Sequence, residues 1–185
     1  MLDLKILGFL AEGPLHGYEL RRRIMELDGP SSRLSEGTLY PALARLEKAG
    51  LIIRTTEPGA RGRPRKRIDI TAAGRERLHE LLRHPSETDM SSMLNFLHIL
   101  AFLSQLPNAA EREAVLRRRL EILRAPAPAF FYDDEAPHRA ATETDPYRLG
   151  MIRIAAASRR AEITWLEETL AVAQTTAGHA PDTSH

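Results

Sequence analysis

The sequence contains no cysteine. That absence excludes a disulfide framework, a thiolate zinc site and a cysteine nucleophile, and it favours a reducing cytoplasm. The chain also lacks any uncharged apolar stretch of about 18 residues, and its first residues lack the basic-then-apolar order of a signal peptide. We therefore expect an unexported cytoplasmic protein without a membrane partner, whose 185 residues, 43% of them hydrophobic, suffice for a core.

Patterns that carry catalysis or bind metals are missing as well. Seven histidines occur, but no His-Glu-x-x-His pattern is present, and His79 and His84 have the wrong separation for a helical pair of ligands. There is no phosphate loop, no G-x-S-x-G elbow and no plausible carboxylate dyad. We therefore expect no metal site, no cofactor and no enzymatic activity.

The small net charge of +1 conceals an uneven distribution. Up to Pro85 there are 16 Lys and Arg against 11 Asp and Glu, whereas the remainder has 10 against 14. A basic first half can face a polyanion while an acidic second half stays away from it. The uneven charge distribution and the helix-breaking run that begins at Pro85 together predict a first domain at 1–85, a second at 86–175 and a flexible tail at 176–185.

The first domain has the pattern of three helices, a β-hairpin and a fourth helix. Ser35 is a predicted N-cap of the third helix, Gly50 marks the end of that helix, and Thr71 is a predicted N-cap of the fourth. Runs rich in β-branched residues at 51–56 and 65–71 predict two strands joined by a long turn. This order predicts a winged helix-turn-helix, in which the third helix enters the major groove of DNA.

The second domain is predicted to be all-helical, so the chain is expected to be mainly α with one small β-hairpin. Its first segment, 90–106, is apolar nearly all round and should be buried on several sides. A further helix follows, with Asn108 as its cap, and four prolines predict an irregular loop at about 125–146. The Arg117-Arg118-Arg119 run on that helix is interpreted as solvated surface.

The last helix, from about Tyr147 to Gln174, carries a mostly apolar stripe in alternating steps of three and four residues. Such a heptad pattern normally pairs with another helix. Because most soluble oligomers are twofold homodimers, the same helix or its neighbours in a second copy is the expected partner. The predicted dimerisation residues are Leu149, Ile152, Ala156, Ile163, Leu166 and Leu170.

Five short motifs follow one another through the first domain: Leu15-His16-Gly17-Tyr18-Glu19-Leu20, Gly37-Thr38-Leu39-Tyr40-Pro41-Ala42-Leu43, Leu46-Glu47-Lys48-Ala49-Gly50-Leu51-Ile52, Gly62-Arg63-Pro64-Arg65-Lys66 and Thr71-Ala72-Ala73-Gly74-Arg75. In order and spacing they resemble the PadR family of transcriptional regulators. Arg160-Ala161-Glu162 and Trp165-Leu166-Glu167-Glu168 make the second half similar to the helical dimerisation domain of virulence-activator members. The resemblance implies a two-domain, dimeric, DNA-binding regulator. One departure is Ile68, which stands where the family's wing strand usually carries a tyrosine.

Candidate DNA contacts lie on the third helix, at the start of the second helix and at the hairpin tip. On the third helix, Arg45 has the fork geometry that recognises guanine, and Lys48 is either a phosphate contact or solvated surface. Five cations within seven residues at the tip favour phosphate or minor-groove contact. Tyr18 is either a phosphate contact or a core residue. The predicted set is His16, Tyr18, Thr38, Tyr40, Arg45, Lys48, Arg61, Arg63, Arg65 and Lys66.

Phe96, Phe102 and Trp165 form a candidate effector pocket for a small apolar or aromatic molecule, with core packing as the alternative role. The whole pattern predicts a sequence-specific, homodimeric transcriptional regulator of the nucleoid. We expect a repressor that binds double-stranded DNA at an inverted-repeat operator, and a response to a ligand is a further hypothesis. The alternative is a winged-helix module that binds protein without specific DNA binding. The basic wing favours DNA over this alternative.

Overall fold

The computed structural model describes residues 1–58, 65–125, 132–133, 136–137 and 143–177. The chain divides into two compact units, Met1–Arg112 and Glu113–His185. The division therefore falls after the predicted boundary near residue 85, and a DNA-binding domain limited to 1–85 stays a prediction. The described elements are α1 (Leu2–Glu12), β1 (Leu15–His16), α2 (Gly17–Asp28), α3 (Glu36–Lys48), β2 (Ile52–Glu57), β3 (Arg65–Ile70), α4 (Ala72–Arg83), α5 (Glu87–Ser91), α6 (Met93–Phe102), α7 (Ala109–Arg124), β4 (Tyr132–Asp133), β5 (Ala136–Pro137) and α8 (Pro146–Ala177).

Local signals fix the ends of several helices in the first unit. The Ser35 side chain accepts a hydrogen bond from the amide of Thr38 and so caps α3. Thr71 caps α4 in the same way, through the amide of Gly74. After α3 the chain passes through Gly50, whose φ of 72° is a left-handed conformation that glycine adopts without strain. All three predicted helix signals are confirmed.

The small sheet has three strands, so the prediction of a two-stranded hairpin was incomplete. β2 and β3 pair antiparallel along their length, as expected for a wing. On the other side of β3 lies β1, with Leu15 opposite Ile68 and His16 opposite Arg67. A two-residue strand is too short to show the alternation that predicts β-structure, so the sequence pattern could not reveal it.

Helix α1 lies in the core of the first unit, because apolar residues cover most of its circumference. Gly8 makes room for a neighbouring ring: a Cβ at this position would lie 2.5 Å from Cδ1 of Phe102 in α6. The Phe102 ring meets Phe9 edge-on, with 5.0 Å between the ring centroids. The contact between α1 and α6 therefore depends on a small residue facing a large one.

The segment predicted to be buried on several sides is divided and packs on one side only. It forms α5 and α6, with a break at Ser92, and continues as a 3-10 turn at Leu103–Gln105. Its residues Met93, Leu94 and Leu97 are about half exposed. The prediction was wrong for this face, since no part of the chain that the structure describes covers it fully.

A buried ionic cluster joins α1, α2 and α6. Lys5 Nζ donates hydrogen bonds to both carboxylate oxygens of Asp28, at 2.6 and 2.7 Å. The Nε2 atom of His98, in α6, lies 3.2 Å from Oδ1 of the same carboxylate. Burial lowers the pKa of His98, which favours its neutral form. The Lys5–Asp28 ion pair therefore links α1 to α2, and the His98 ring of α6 lies against the same carboxylate.

In the second unit, α7 and α8 are joined by an ion pair that the sequence did not indicate. Arg119 is only 1% exposed, and its Nε and Nη2 donate to Glu162 at 2.7 and 2.8 Å. The interpretation of Arg119 as helix surface was therefore wrong. Arg159 of α8 donates from Nε to the carbonyl oxygen of Leu123, near the end of α7, at 2.7 Å.

Parts of the predicted loop and tail lie outside the described residues, namely 126–131, 134–135, 138–142 and 178–185. Within the loop, β4 and β5 pair antiparallel. The last helix continues to Ala177, three residues beyond its predicted end. Among the helices of the described chain, none is long and apolar enough to cross a membrane.

Gly74, in the first turn of α4, should be intolerant of a larger residue. A Cβ there would lie 2.0 Å from the carbonyl oxygen of Leu51, so the backbone must move. We expect Gly74→Ala to lower the free energy of unfolding by about 1–3 kcal/mol, measured by urea denaturation. The control is Gly150→Ala in α8, where nothing lies within 4 Å of the new Cβ and helix propensity should raise stability slightly. Equal stabilities of the two variants would contradict the close packing.

Candidate nucleic-acid interface

Helix α3 presents one continuous exposed face. On its other side Leu39, Leu43 and Leu46 are buried, which fixes the rotation of the helix about its axis. The helix begins after Ser35, an exposed residue whose side chain accepts a hydrogen bond from the amide of Thr38. The exposed residues are Glu36, Gly37, Thr38, Tyr40, Pro41, Ala44, Arg45 and Lys48.

Arg45 is bound by an acidic residue of another helix. Its Nη1 and Nη2 donate to the two carboxylate oxygens of Asp3, in α1, at 2.9 and 2.6 Å. This hydrogen-bonded pairing raises the pKa of Arg45. The predicted guanine-recognising residue therefore lies on the expected face, but its fork is already occupied within the chain.

The His16-Gly17-Tyr18 motif forms the start of α2. The backbone amide of His16 donates to Oε2 of Glu19 at 2.9 Å, and this bond lowers the pKa of Glu19. The rings of His16 and Tyr18 are parallel, with 6.0 Å between their centroids, and Nδ1 of His16 lies 3.1 Å from the carbonyl oxygen of Lys66 in β3. Tyr18 is 58% exposed, so its alternative interpretation as a core residue was wrong.

A cavity of about 410 Å³ lies between the start of α2, helix α3 and the wing. Leu43 and Ile68 form its apolar floor. Gly17 leaves space for the ring of Tyr40, because a Cβ on Gly17 would lie 3.4 Å from the Tyr40 hydroxyl. The polar and aromatic side chains around the cavity are His16, Tyr18, Tyr40, Arg54, Arg65 and Lys66.

Two of the charged residues near this cavity pair with each other. Arg54 of β2 donates from Nε to Oε2 of Glu47 in α3 at 2.8 Å, and this bond lowers the pKa of Glu47. Arg65 and Lys66, at the start of β3, are exposed. The rim of the cavity thus carries positive charge, hydroxyl groups and aromatic rings, which together suit a phosphodiester.

The structure brings five of the ten predicted DNA contacts together around the cavity and places three more on the exposed face of α3. Tyr40 joins His16, Tyr18, Arg65 and Lys66 around the cavity, and with Thr38 and Lys48 it lies on the exposed face of α3. The predicted residues Arg61 and Arg63 lie outside the described residues. Sequence reasoning missed Asp3 and the Glu47–Arg54 pair, since partners so far apart in the chain give no local pattern.

The predicted effector and dimerisation residues have very different environments. Phe96 and Phe102 are packed inside the first unit, whereas Trp165 on α8 is 43% exposed. Leu166 and Leu170 are buried within a single chain. The other four predicted dimerisation residues are half-buried: Leu149, Ile152, Ala156 and Ile163. Across the described ranges, no group of three or more His, Asp or Glu side chains could hold a metal ion.

Comparison with known proteins gives a consistent result for the first unit. Residues 6–80 match the family model described as the transcriptional regulator PadR-like family. The transcriptional regulator Rv3488 of Mycobacterium tuberculosis is 40% identical over 77 residues, which are 42% of this chain and 68% of that regulator. The match therefore covers most of a known transcriptional regulator.

Two further relatives are matched over smaller shares of their length. An uncharacterized 37.1 kDa protein in transposon TN4556 of Streptomyces fradiae is 47% identical over 76 residues, 41% of this chain but only 20% of that protein. The negative transcriptional regulator PadR of Bacillus subtilis is 34% identical over 86 residues, 45% of this chain and 47% of PadR. The crystal structure of that PadR with operator DNA aligns over 92% of this chain and 97% of its own, at 22% identity and a TM-score of 0.44.

The cations at the base of the wing should contact duplex DNA. We expect Arg65→Ala with Lys66→Ala to weaken binding to specific and non-specific duplexes alike, because neutralising phosphates is independent of sequence. The salt dependence of log K should become shallower by about one for each lost contact, measured by fluorescence anisotropy at several salt concentrations. Arg67→Ala is the control, since Arg67 pairs with Glu57 at 3.1 Å. An unchanged slope in the double variant would show that this part of the wing does not touch DNA.

Proposed function

The chain belongs to the PadR-like family of transcriptional regulators, and from this premise we propose that it acts as a homodimeric repressor at an inverted-repeat operator. It is a DNA-binding regulator and not an enzyme. Repression is proposed because the Bacillus subtilis relative is a negative transcriptional regulator. Its place of action is then the nucleoid in the cytoplasm.

One observation carries the proposal: the exposed face of α3 lies beside a cavity with a cationic, hydroxyl-rich rim. In a winged helix-turn-helix the corresponding helix occupies the major groove. Thr38, Tyr40 and Lys48 would then face the DNA, while the cavity takes a backbone phosphate next to Lys66. Arg61 and Arg63 are proposed to extend this contact along the backbone. A module that binds only protein has no use for such a rim.

The homodimer is proposed to form through α8, but through a face other than the stripe predicted from the sequence. Leu166 and Leu170 are already buried within one chain, so they are poorly placed to contact a second copy. A second stripe on α8 also advances in alternating steps of four and three. It consists of Tyr147, Met151, Ile154, Ser158, Ala161, Trp165, Glu168 and Val172.

The second stripe keeps large apolar side chains in solvent. Tyr147 is 87% exposed, Ile154 70% and Val172 67%, which is unusual for a helix that has no partner. A shallow apolar groove runs along the same side, beside Met151. Because residues at heptad spacing keep two helices in contact when they supercoil, a second copy of α8 is the occupant that fits.

The charges of α8 favour an antiparallel pair. Arginine occurs in this helix only before residue 161, and glutamate only after it. Two antiparallel copies would place Arg153 of one at the level of Glu167 and Glu168 of the other. An axis between Ser158 and Ala161 would bring small residues together at the centre and set Ile154 opposite Trp165 of the other copy.

We expect the wild type to sediment as a dimer and to shift duplexes containing an inverted repeat. The half-sites should be about 10 base pairs apart or a multiple of that, centre to centre. Ile154→Asp should give a folded monomer with much weaker operator binding, because a carboxylate would be buried at the seam. Sedimentation velocity and mobility shift on the same samples measure both effects.

Two further variants make this test specific. Thr164→Asp adds the same charge on an exposed position outside the second stripe and should leave the dimer intact. Leu166→Asp should instead destabilise the chain itself, since Leu166 is buried within one copy. A dimer that survives Ile154→Asp would contradict pairing through this stripe. A monomeric wild type that binds single half-sites would contradict the homodimer.

A small apolar or aromatic effector is proposed to bind near Trp165. Phe96 and Phe102 are fully packed, so the proposal now depends on the exposed indole beside the proposed seam. Binding there should change tryptophan fluorescence and weaken the DNA complex in the same concentration range, because it would alter the spacing of the two DNA-binding units. If a broad apolar panel changes neither signal, an effector of this kind is ruled out.

A further inference from the structure

The exposed face of α3 has an apolar centre. At about 3.6 residues per turn, the middle line of this face runs through Gly37, Pro41, Ala44 and Lys48. Tyr40 lies on the flank next to the cavity. Of the four central residues, the first three have no side-chain hydrogen-bond donor or acceptor.

Three polar residues of α3 are engaged within the chain. The guanidinium of Arg45 is held by Asp3 through two hydrogen bonds. The hydroxyl of Thr38 lies 2.9 Å from Oγ of Ser35, the residue that caps the helix. Glu47 accepts from Arg54. Polar recognition of a base by these side chains would have to break a contact that already satisfies them.

The chemistry of the major groove makes this arrangement selective. Guanine, cytosine and adenine present only hydrogen-bonding groups there, whereas thymine also presents the C5 methyl group. An apolar surface gains from contact with that methyl and cannot satisfy the donors and acceptors of other base pairs. Pro41 and Ala44, one turn apart, could meet methyl groups of neighbouring base pairs, and Gly37 allows the helix to approach closely.

We propose that α3 recognises thymine methyl groups through Pro41 and Ala44, and that Arg45 is a positioning residue which Asp3 holds to orient the helix. This inference rests on the proposed DNA-binding function and specifies its sequence preference. Each half-site then contains one or two thymines at fixed positions facing the middle of α3. Lys48, at the end of the same line, contacts the backbone.

The test replaces thymines of a bound inverted repeat by deoxyuridine, one symmetric pair at a time, which removes only the methyl groups. At one or two positions per half-site we expect affinity to fall by about fourfold for each methyl lost, and at the other positions no change. The affinity is measured by fluorescence anisotropy with full-length protein.

A cycle of protein variants assigns the contacts. In Ala44→Gly the penalty for deoxyuridine should disappear at the position that faces Ala44, and in Pro41→Ala it should shrink at the neighbouring position. Ala73→Gly is the matched control: it puts glycine at an exposed position in the first turn of α4 and should leave every penalty unchanged. Thermal unfolding of each variant verifies the fold, and Pro41→Ala provides a second reading if Ala44→Gly unfolds.

The role of Arg45 is tested with Arg45→Gln on every single-base variant of the half-site. A positioning residue changes affinity for all of them by a similar factor, whereas a guanine contact loses discrimination at one G·C pair only. Specific binding with no deoxyuridine penalty anywhere would overturn this inference and leave the proposed function standing. Penalties that persist unchanged in both Ala44→Gly and Pro41→Ala would overturn the assignment. Absence of any sequence-specific binding would overturn the proposed function as well.

Discussion

The burial of α1 is the constraint on which the rest of the first unit depends. Its apolar residues face several neighbours at once, and α2, α4, β3 and α6 all pack against it. Gly8 admits the ring of Phe102, Lys5 pairs with Asp28 in α2, and Asp3 holds Arg45 in α3. Because a close-packed core resists displacement, α1 fixes the position of α3.

The proposed interface combines two kinds of recognition that need different physical surroundings. Positive charge at the wing would bind phosphates, and this attraction does not require rigid side chains. Exposed residues such as Lys66 therefore suffice for phosphate binding. Contact with base edges needs a helix of fixed rotation, which the buried Leu39, Leu43 and Leu46 provide. The occupied fork of Arg45 fits this division, since an arginine that orients a helix cannot at the same time contact guanine.

Burial within one chain also decides which face of α8 remains for a partner. The heptad pattern predicted that α8 pairs with another helix, and the side that carries Leu166 and Leu170 is already covered in the single chain. Glu162 of the same helix forms an ion pair with Arg119 of α7, and this pair is almost completely buried. Removing either partner would therefore leave an uncompensated buried charge. The face of α8 that remains in solvent is the second stripe, which carries large exposed apolar residues.

The sequence by itself determined the features whose causes are local. Ser35, Thr71 and Gly50 marked helix ends, because caps act over three or four residues, and spaced motifs identified the family and the wing. Tertiary structure decided the partners of side chains: Asp3 and Arg45 are 42 residues apart, and β1 exists only because β3 supplies its hydrogen bonds. The same holds for the exposure of Tyr18 and the covered side of α8. Periodicity specifies that a helix has an apolar face, but only packing decides what that face meets.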